Sequence, residues 1–238
     1  MTMPINLVLV RHGESEGQVA RKKSREGDHS YFSGEFLKRH SSLWRLTDKG
    51  ISQAITAGDW IKKNVSEQFG RYYVSEYLRA KETAHYLGLS YAVWYSDFYL
   101  RERDWGLLDV MSEEERKERF SLELARRDID GFFWSPPNGE SMAQLCLRID
   151  RVLDTLHREC SDKKVIIVCH GEVMWAFRVR LERMSQERYR ALDISDNPFD
   201  KMHNCKILHY TRINPQDDKD GVLKRGGTIS PYYLWFRS

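Results

Sequence analysis

Two apolar runs stand out along a mostly polar chain: Leu7-Val8-Leu9-Val10, and Val165-Ile166-Ile167-Val168-Cys169. Unbroken runs this short and rich in β-branched residues predict strands covered on both faces. Helical periods fill the space between and beyond them. Behind Thr47, the expected N-cap, Ile51, Ala54, Ile55, Gly58 and Ile61 fall on one helical face. The stretch SEYLRAKETAHYLGL predicts another helix, with Arg79 in its first turn or so. Ser112 and Glu115 form a capping box that opens a charged helix running through Arg127. Ser141 and Gln144 form a second one, before the strongest amphipathic face of the chain, Met142, Leu145, Ile149, Val152, Leu153 and Leu156. Helices are also expected beyond His170 and behind Ser185. Shorter strands are predicted at residues 72–75, 92–95, 205–210 and, behind Pro231, 232–236. Alternating strands and helices predict a layered α/β fold.

Two segments escape these periods. Residues 17–45 are long, polar and aperiodic, and are expected to form an inserted loop, a candidate with the charged helix for closing over a site. The basic cluster within it, Arg21-Lys22-Lys23 and Arg25, reads either as a solvated surface or as a local attraction for an anionic substrate. Residues 212–238, charged and glycine-rich at 217–227, are expected to be mobile. No long linker divides the chain, so residues 1–238 are expected to form one domain.

Composition narrows the classes of function. Thirty-eight basic against 35 acidic residues leave a net charge of +3, too small a field to argue for nucleic acid or a membrane surface. The four cysteines, Cys146, Cys160, Cys169 and Cys205, form no Cys-x-x-Cys pair and read as reduced, buried thiols of an intracellular protein. The start, MTMPINLVLV, lacks a basic leader and a small-residue cleavage site, so a soluble cytoplasmic protein is expected.

Both buried runs end in the same way. The first continues into Arg11-His12-Gly13 and the second into His170-Gly171-Glu172. If the strands are parallel in one sheet, both histidines emerge at the carboxyl edge, where open α/β sheets hold ligands. A neutral histidine can attack phosphorus, splitting one hard displacement into two easier ones. The phosphoryl oxygens then need fixed positive donors, for which the planar forks of Arg11 and Arg79 are suited. Arg79 at a helix start opposes the helix dipole unless an anion binds there; the alternative is a surface arginine paired with Glu76 or Glu82. Glu102, between Arg101 and Arg103, could protonate a departing alkoxide if its neutral form is favoured. Flanking arginines otherwise mark an exposed ion-pair cluster. No Walker loop, HExxH or paired cysteines occur, so neither a metal nor a cofactor is expected.

LVLVRHGES with the later His170-Gly171 resembles the histidine phosphatase superfamily, the branch that holds cofactor-dependent phosphoglycerate mutases and many phosphomonoesterases. LTDKGISQA, the segment from Arg79-Ala80 to Glu82-Thr83-Ala84, the Glu102 segment and the NGES turn follow in the family's order. The resemblance implies a three-layer α/β/α, phosphoglycerate mutase-like fold, with a mostly parallel central sheet and helices on both faces. It implies His12 as phosphoryl acceptor, Glu102 as proton donor, and Arg11, Arg79 and His170 as the phosphate pocket, with Gly171 beside them. Gln18 stands where the family often carries a phosphate-touching asparagine. Trp105 replaces the mutases' tyrosine, whereas Arg126-Arg127 resembles a mutase arginine pair. LRERDWG before Leu107-Leu108-Asp109 is more similar to phosphatases of broad specificity. The expected activity is therefore metal-independent hydrolysis of small phosphomonoesters. The alternatives are a phosphoglycerate mutase or bisphosphoglycerate phosphatase, and an inert phosphate- or partner-binding module. Oligomeric state is left open.

Overall fold

A computed structural model of the chain describes residues 2–213 and the strand 232–235. Six strands form one sheet: β1 (Asn6–Arg11), β2 (Arg71–Ser75), β3 (Trp94–Asp97), β4 (Lys164–Cys169), β5 (Ile207–Thr211) and β6 (Tyr232–Trp235). Their spatial order is β3-β2-β4-β1-β5-β6. All neighbours are parallel except β1 and β5. The expected three-layer, mostly parallel architecture is what the chain adopts.

Why the two apolar runs are continuous follows from the pleat, which sends successive side chains to opposite faces. Leu7, Leu9, Val165 and Ile167 enter one core with the helices α7 (Met142–Glu159) and α8 (Gly171–Leu181). Val8, Val10, Ile166 and Val168 enter the other with α3 (Asp48–Asn64) and α4 (Leu78–Tyr86). The register pairs Arg11 with Cys169, so each histidine is the first residue beyond its strand at the same edge. Ser141 and Gln144 cap α7 reciprocally, with Ser141 N donating to the Gln144 amide at 2.8 Å and Gln144 N to the Ser141 hydroxyl at 3.1 Å.

Four expectations change. Residues 17–45 are not a loop: α1 (Glu16–Arg25), the short α2 (Gly34–Lys38) and a 3-10 turn (Ser41–Leu43) occupy them. The buried face of α1 is Gly17, Ala20 and Ser24, too small and polar to give a hydrophobic period. It packs close, since a Cβ on Gly17 would lie 2.0 Å from the Trp44 ring. The charged helix from Ser112 breaks at Phe120 (φ −132°, ψ 32°) into α5 (Glu113–Arg119) and α6 (Ser121–Asp130). The strand expected at 92–95 lies two residues later, as β3. On α3 the inner face carries Ala57, while Ile55 is exposed. The last helix, α9 (Gln186–Asp193), is capped by Ser185 as expected. The segment expected to be mobile lies for the most part outside the described residues.

Close packing of α3 on the end of α4 runs through Gly58, where an added Cβ would lie 2.0 Å from the Leu87 carbonyl oxygen. Backbone cannot step aside cheaply. Gly58→Ala is expected to cost about 1–3 kcal/mol, seen as a lower urea midpoint at unchanged slope. An unchanged midpoint would show that the two helices separate freely.

Candidate active site

The register of β1 and β4 brings the two imidazoles together, with ring centroids 5.1 Å apart and planes at 63°. His12 is held from several sides. Its backbone N–H donates to the Cys169 carbonyl at 3.0 Å, and Asn204 Nδ2 donates to its carbonyl at 3.2 Å. Gly13 N donates to the Thr83 hydroxyl on α4 at 3.0 Å. His12 Nδ1 lies 2.7 Å from the Gly13 carbonyl oxygen, which can only accept, so Nδ1 carries the proton. Arg79 Nε donates to His12 Nε2 at 3.2 Å, so Nε2 carries the lone pair. The two contacts together fix one neutral tautomer. Burial, then Arg79 and Arg11, holds the His12 pKa well below its ordinary value.

Arg79 lies in the first turn of α4, as predicted, and is buried. Its Nη1 donates to the Ser41 carbonyl at 2.8 Å, and its guanidinium lies 4.8 Å from the centroid of the Tyr77 ring. Burial lowers its pKa to about 10, which leaves it charged at neutral pH. The surface pairing with Glu82 does not occur, because Glu82 accepts instead from Arg45 Nε at 2.7 Å and Leu46 N at 2.8 Å. Arg11 donates Nη1 to the Met202 carbonyl, and its buried Nε has no partner. Gly171 makes room for it: a Cβ there would lie 3.2 Å from Arg11 Nε. His170 is fully buried, with Nε2 hydrogen-bonded to Ser75 Oγ at 2.8 Å and Nδ1 without a partner.

Glu102 is half-buried on the connection after β3, and its Oε1 accepts from Arg103 N at 3.0 Å. Burial, then the charge of Glu172, raises its pKa above the ordinary carboxyl range. Arg103 is not part of an exposed cluster. It is buried, donating to the Glu140 carbonyl (2.7 Å), the Trp134 carbonyl (2.9 Å) and Glu172 (3.0 Å). It pins the Glu102 loop to α8. Gln18 lines the same cleft, but its amide oxygen accepts from Ser15 N at 3.1 Å and Asn204 Nδ2 at 2.8 Å. Only its amide nitrogen is left for a ligand.

Sequence reading missed Ser41, Ser75, Tyr77, Asn204 and the role of Arg103. Ser75 alone had a usable signal, because it ends a central strand at the edge where both histidines emerge. The cleft, about 260 Å³, is also walled by Trp44 and Trp105. Trp44 is a core residue, stacked on Phe36 at 4.9 Å. Of the basic cluster, Arg21 turns into the cleft and pairs with Asp109 at 2.6 Å, while Lys22 remains exposed.

Ligand-type atoms of His12, Glu102 and His170 lie within 4.8 Å of one another, the one such group among the described residues. Two buried guanidinia face the same space, which opposes a cation and favours an anion. Neutral imidazoles, a carboxyl held towards its neutral form and two arginines leave the site net positive.

A sequence profile of the histidine phosphatase superfamily (branch 1) matches residues 7–199. A 2,3-bisphosphoglycerate-dependent phosphoglycerate mutase of Parvibaculum lavamentivorans is 32% identical over 238 aligned positions, covering 94% of this chain and 96% of its own. A human 6-phosphofructo-2-kinase/fructose-2,6-bisphosphatase is 29% identical over 171 residues; the match covers 72% of this chain and only 31% of that longer protein. The structure of a mycobacterial glucosyl-3-phosphoglycerate phosphatase complexed with VO3 superposes with a TM-score of 0.65 at 23% identity, covering 86% of this chain and 91% of that one. At that identity the superposition speaks for the fold alone. By the profile over most of its length, by its sheet and by the paired histidines at its edge, this chain belongs to the histidine phosphatase superfamily.

Proposed function

We propose that this chain is a metal-independent phosphomonoesterase that works through a phosphohistidine on His12. The observation that carries the reading is the single tautomer of His12, whose unprotonated Nε2 faces the arginine pocket. In the first step the Nε2 lone pair forms a bond to phosphorus as the ester P–O bond breaks. Glu102 gives its proton to the departing alkoxide. Arg79, released from His12 Nε2 by the incoming phosphoryl group, joins Arg11 and His170 in holding the phosphoryl oxygens. In the second step the Glu102 carboxylate takes a proton from water, the water oxygen bonds to phosphorus, and the N–P bond breaks. Neutral His12 and protonated Glu102 are restored.

The same reading takes the chain as one domain and as a cytoplasmic protein acting on small esters, in keeping with four free, buried cysteines. Phosphate release from a panel of phosphomonoesters in the presence of a chelator is the direct test. Loss of all release on chelation would sink metal independence. A mutase is the second reading, favoured by the full-length likeness to the Parvibaculum protein. Interconversion of phosphoglycerates with little free phosphate would decide for it.

The pKa directions fix the sign of the pH dependence. His12 is held neutral, so its ability to attack survives acidification below the usual histidine range. Glu102 keeps its proton to higher pH than an ordinary carboxyl, and acid catalysis fades as pH rises through that raised value. With alkyl phosphates, kcat/KM corrected for substrate ionisation is expected to show no ascending limb at the usual histidine pH of ~6.5, and a descending limb that lies above the ordinary carboxyl range. An acid limb near that pH that belongs to the enzyme would show that His12 is not so held.

A further inference from the structure

The two histidines have partners of different kinds. His12 Nδ1 faces a carbonyl oxygen, which can only accept, whereas His170 Nε2 lies 2.8 Å from the hydroxyl of Ser75, which can accept or donate. Ser75 closes β2, whose Val74 is in register with Val168 two residues before His170, and it is fully buried. Its hydroxyl oxygen already accepts from Tyr77 N at 3.3 Å. If His170 donated to it as well, the Ser75 proton would have no acceptor among the described residues, and a buried donor without a partner is costly. The Ser75 hydroxyl therefore donates to Nε2. Burial first, then Arg79, His12, Arg11 and Arg148, holds the His170 pKa well below its ordinary value, so the ring has one proton to place. With Nε2 accepting, that proton sits on Nδ1, which is buried and has no partner among the described residues. The ring centroid lies 5.1 Å from that of His12. A desolvated N–H beside the nucleophile is completed only when an acceptor enters, and a phosphoryl oxygen is such an acceptor.

We propose that Ser75 is a positioning residue of the active site: by donating to His170 Nε2 it fixes the tautomer in which Nδ1–H is presented to the phosphoryl group. The inference rests on the phosphohistidine reading and deepens it. A carbonyl behind one ring and a hydroxyl behind the other give two identical side chains opposite tasks, attack for His12 and donation for His170.

Nitrogen-15 NMR of protein labelled at its histidines reads the tautomer directly, and His170→Gln assigns the signal. At neutral pH the wild type is expected to show His170 protonated on Nδ1. Ser75→Ala removes the donor, and its His170 is expected to populate both tautomers. Its affinity for inorganic phosphate and its kcat/KM for alkyl phosphates are each expected to fall about 10- to 100-fold, the range of one charge-assisted contact. Ser75→Thr keeps the hydroxyl and is expected to return the single tautomer with most of both losses. If Ser75→Ala does not fold, Ser75→Cys stands in, a weaker donor with a smaller loss in the same direction. A wild type with His170 protonated on Nε2 would overturn the proposal. So would a folded variant lacking the hydroxyl that keeps either the single tautomer or the wild-type phosphate affinity, because a merely structural serine lowers stability and moves neither. The NMR and phosphate-binding measurements need no turnover. A wild type that binds phosphate with Nδ1 protonated but hydrolyses no ester would sink the esterase reading and leave the role of Ser75 standing; hydrolysis with the proton on Nε2 would do the reverse.

Discussion

His12→Ala is expected to lower hydrolysis of every phosphate ester by at least about 10⁴-fold, or some 5.5 kcal/mol in the barrier. The second imidazole is a poor replacement, because its Nε2 is bonded to Ser75 at 2.8 Å and its Nδ1 is the atom left to hold the phosphoryl oxygens. Removing the ring leaves Arg11 and Arg79 in place and frees Arg79 Nε from its contact with Nε2. Inorganic phosphate is therefore expected to bind the variant at least as tightly as the wild type, measured by calorimetry. Loss of turnover with retained phosphate binding separates catalysis from pocket assembly. A variant that keeps more than about a tenth of the wild-type rate would show that His12 is not the nucleophile. A wild type that binds phosphate but turns over no ester, indistinguishable from the variant, would favour the binding module instead.

The second large effect belongs to Glu102→Gln. Glutamine keeps the shape and can still accept from Arg103 N, now at 3.0 Å from the carboxylate, but has no proton to give. Alkyl esters, whose alkoxides leave poorly, are expected to lose about 10²- to 10⁴-fold. Nitrophenyl phosphate needs little help in leaving, so its first step should survive. Hydrolysis of the phosphohistidine still needs a base. Rapid mixing is thus expected to give a burst of nitrophenolate equal to the enzyme concentration, followed by slow turnover. Equal losses on both esters with no burst would remove Glu102 from both roles.

Glu102 also shows where sequence stops. Its position between arginines suggested an exposed cluster, whereas Arg103 turns inward to Glu140, Trp134 and Glu172 and carries the loop into the site. The direction of its pKa comes first from burial and next from Glu172, seventy residues along the chain. Neither is encoded locally. The helix α1 was unreadable for another reason, since Gly17, Ala20 and Ser24 make a narrow face, covered at Gly17 by Trp44 and at Ser24 by the start of α5, whose Glu113 N donates to the Ser24 hydroxyl at 2.7 Å. On α3 the choice between Ile55 and Ala57 as the inner residue follows from how closely the helix lies against β1 and α4.

What the sequence by itself determined is the part governed by short-range physics. Runs of apolar residues demand strands buried on both faces, and two of them end in His-Gly. Caps at Thr47, Ser141 and Ser185 start helices because their side chains satisfy open backbone N–H groups a turn away. The residues that the superfamily's motifs single out, His12, His170, Arg11 and Arg79, lie beside one another at one sheet edge. Only the tertiary structure decided which proton His12 carries, which group Arg79 faces and what holds Asn204 against a residue 192 positions earlier. Those are matters of desolvation and long-range contact, and both depend on which surfaces the whole chain removes from water.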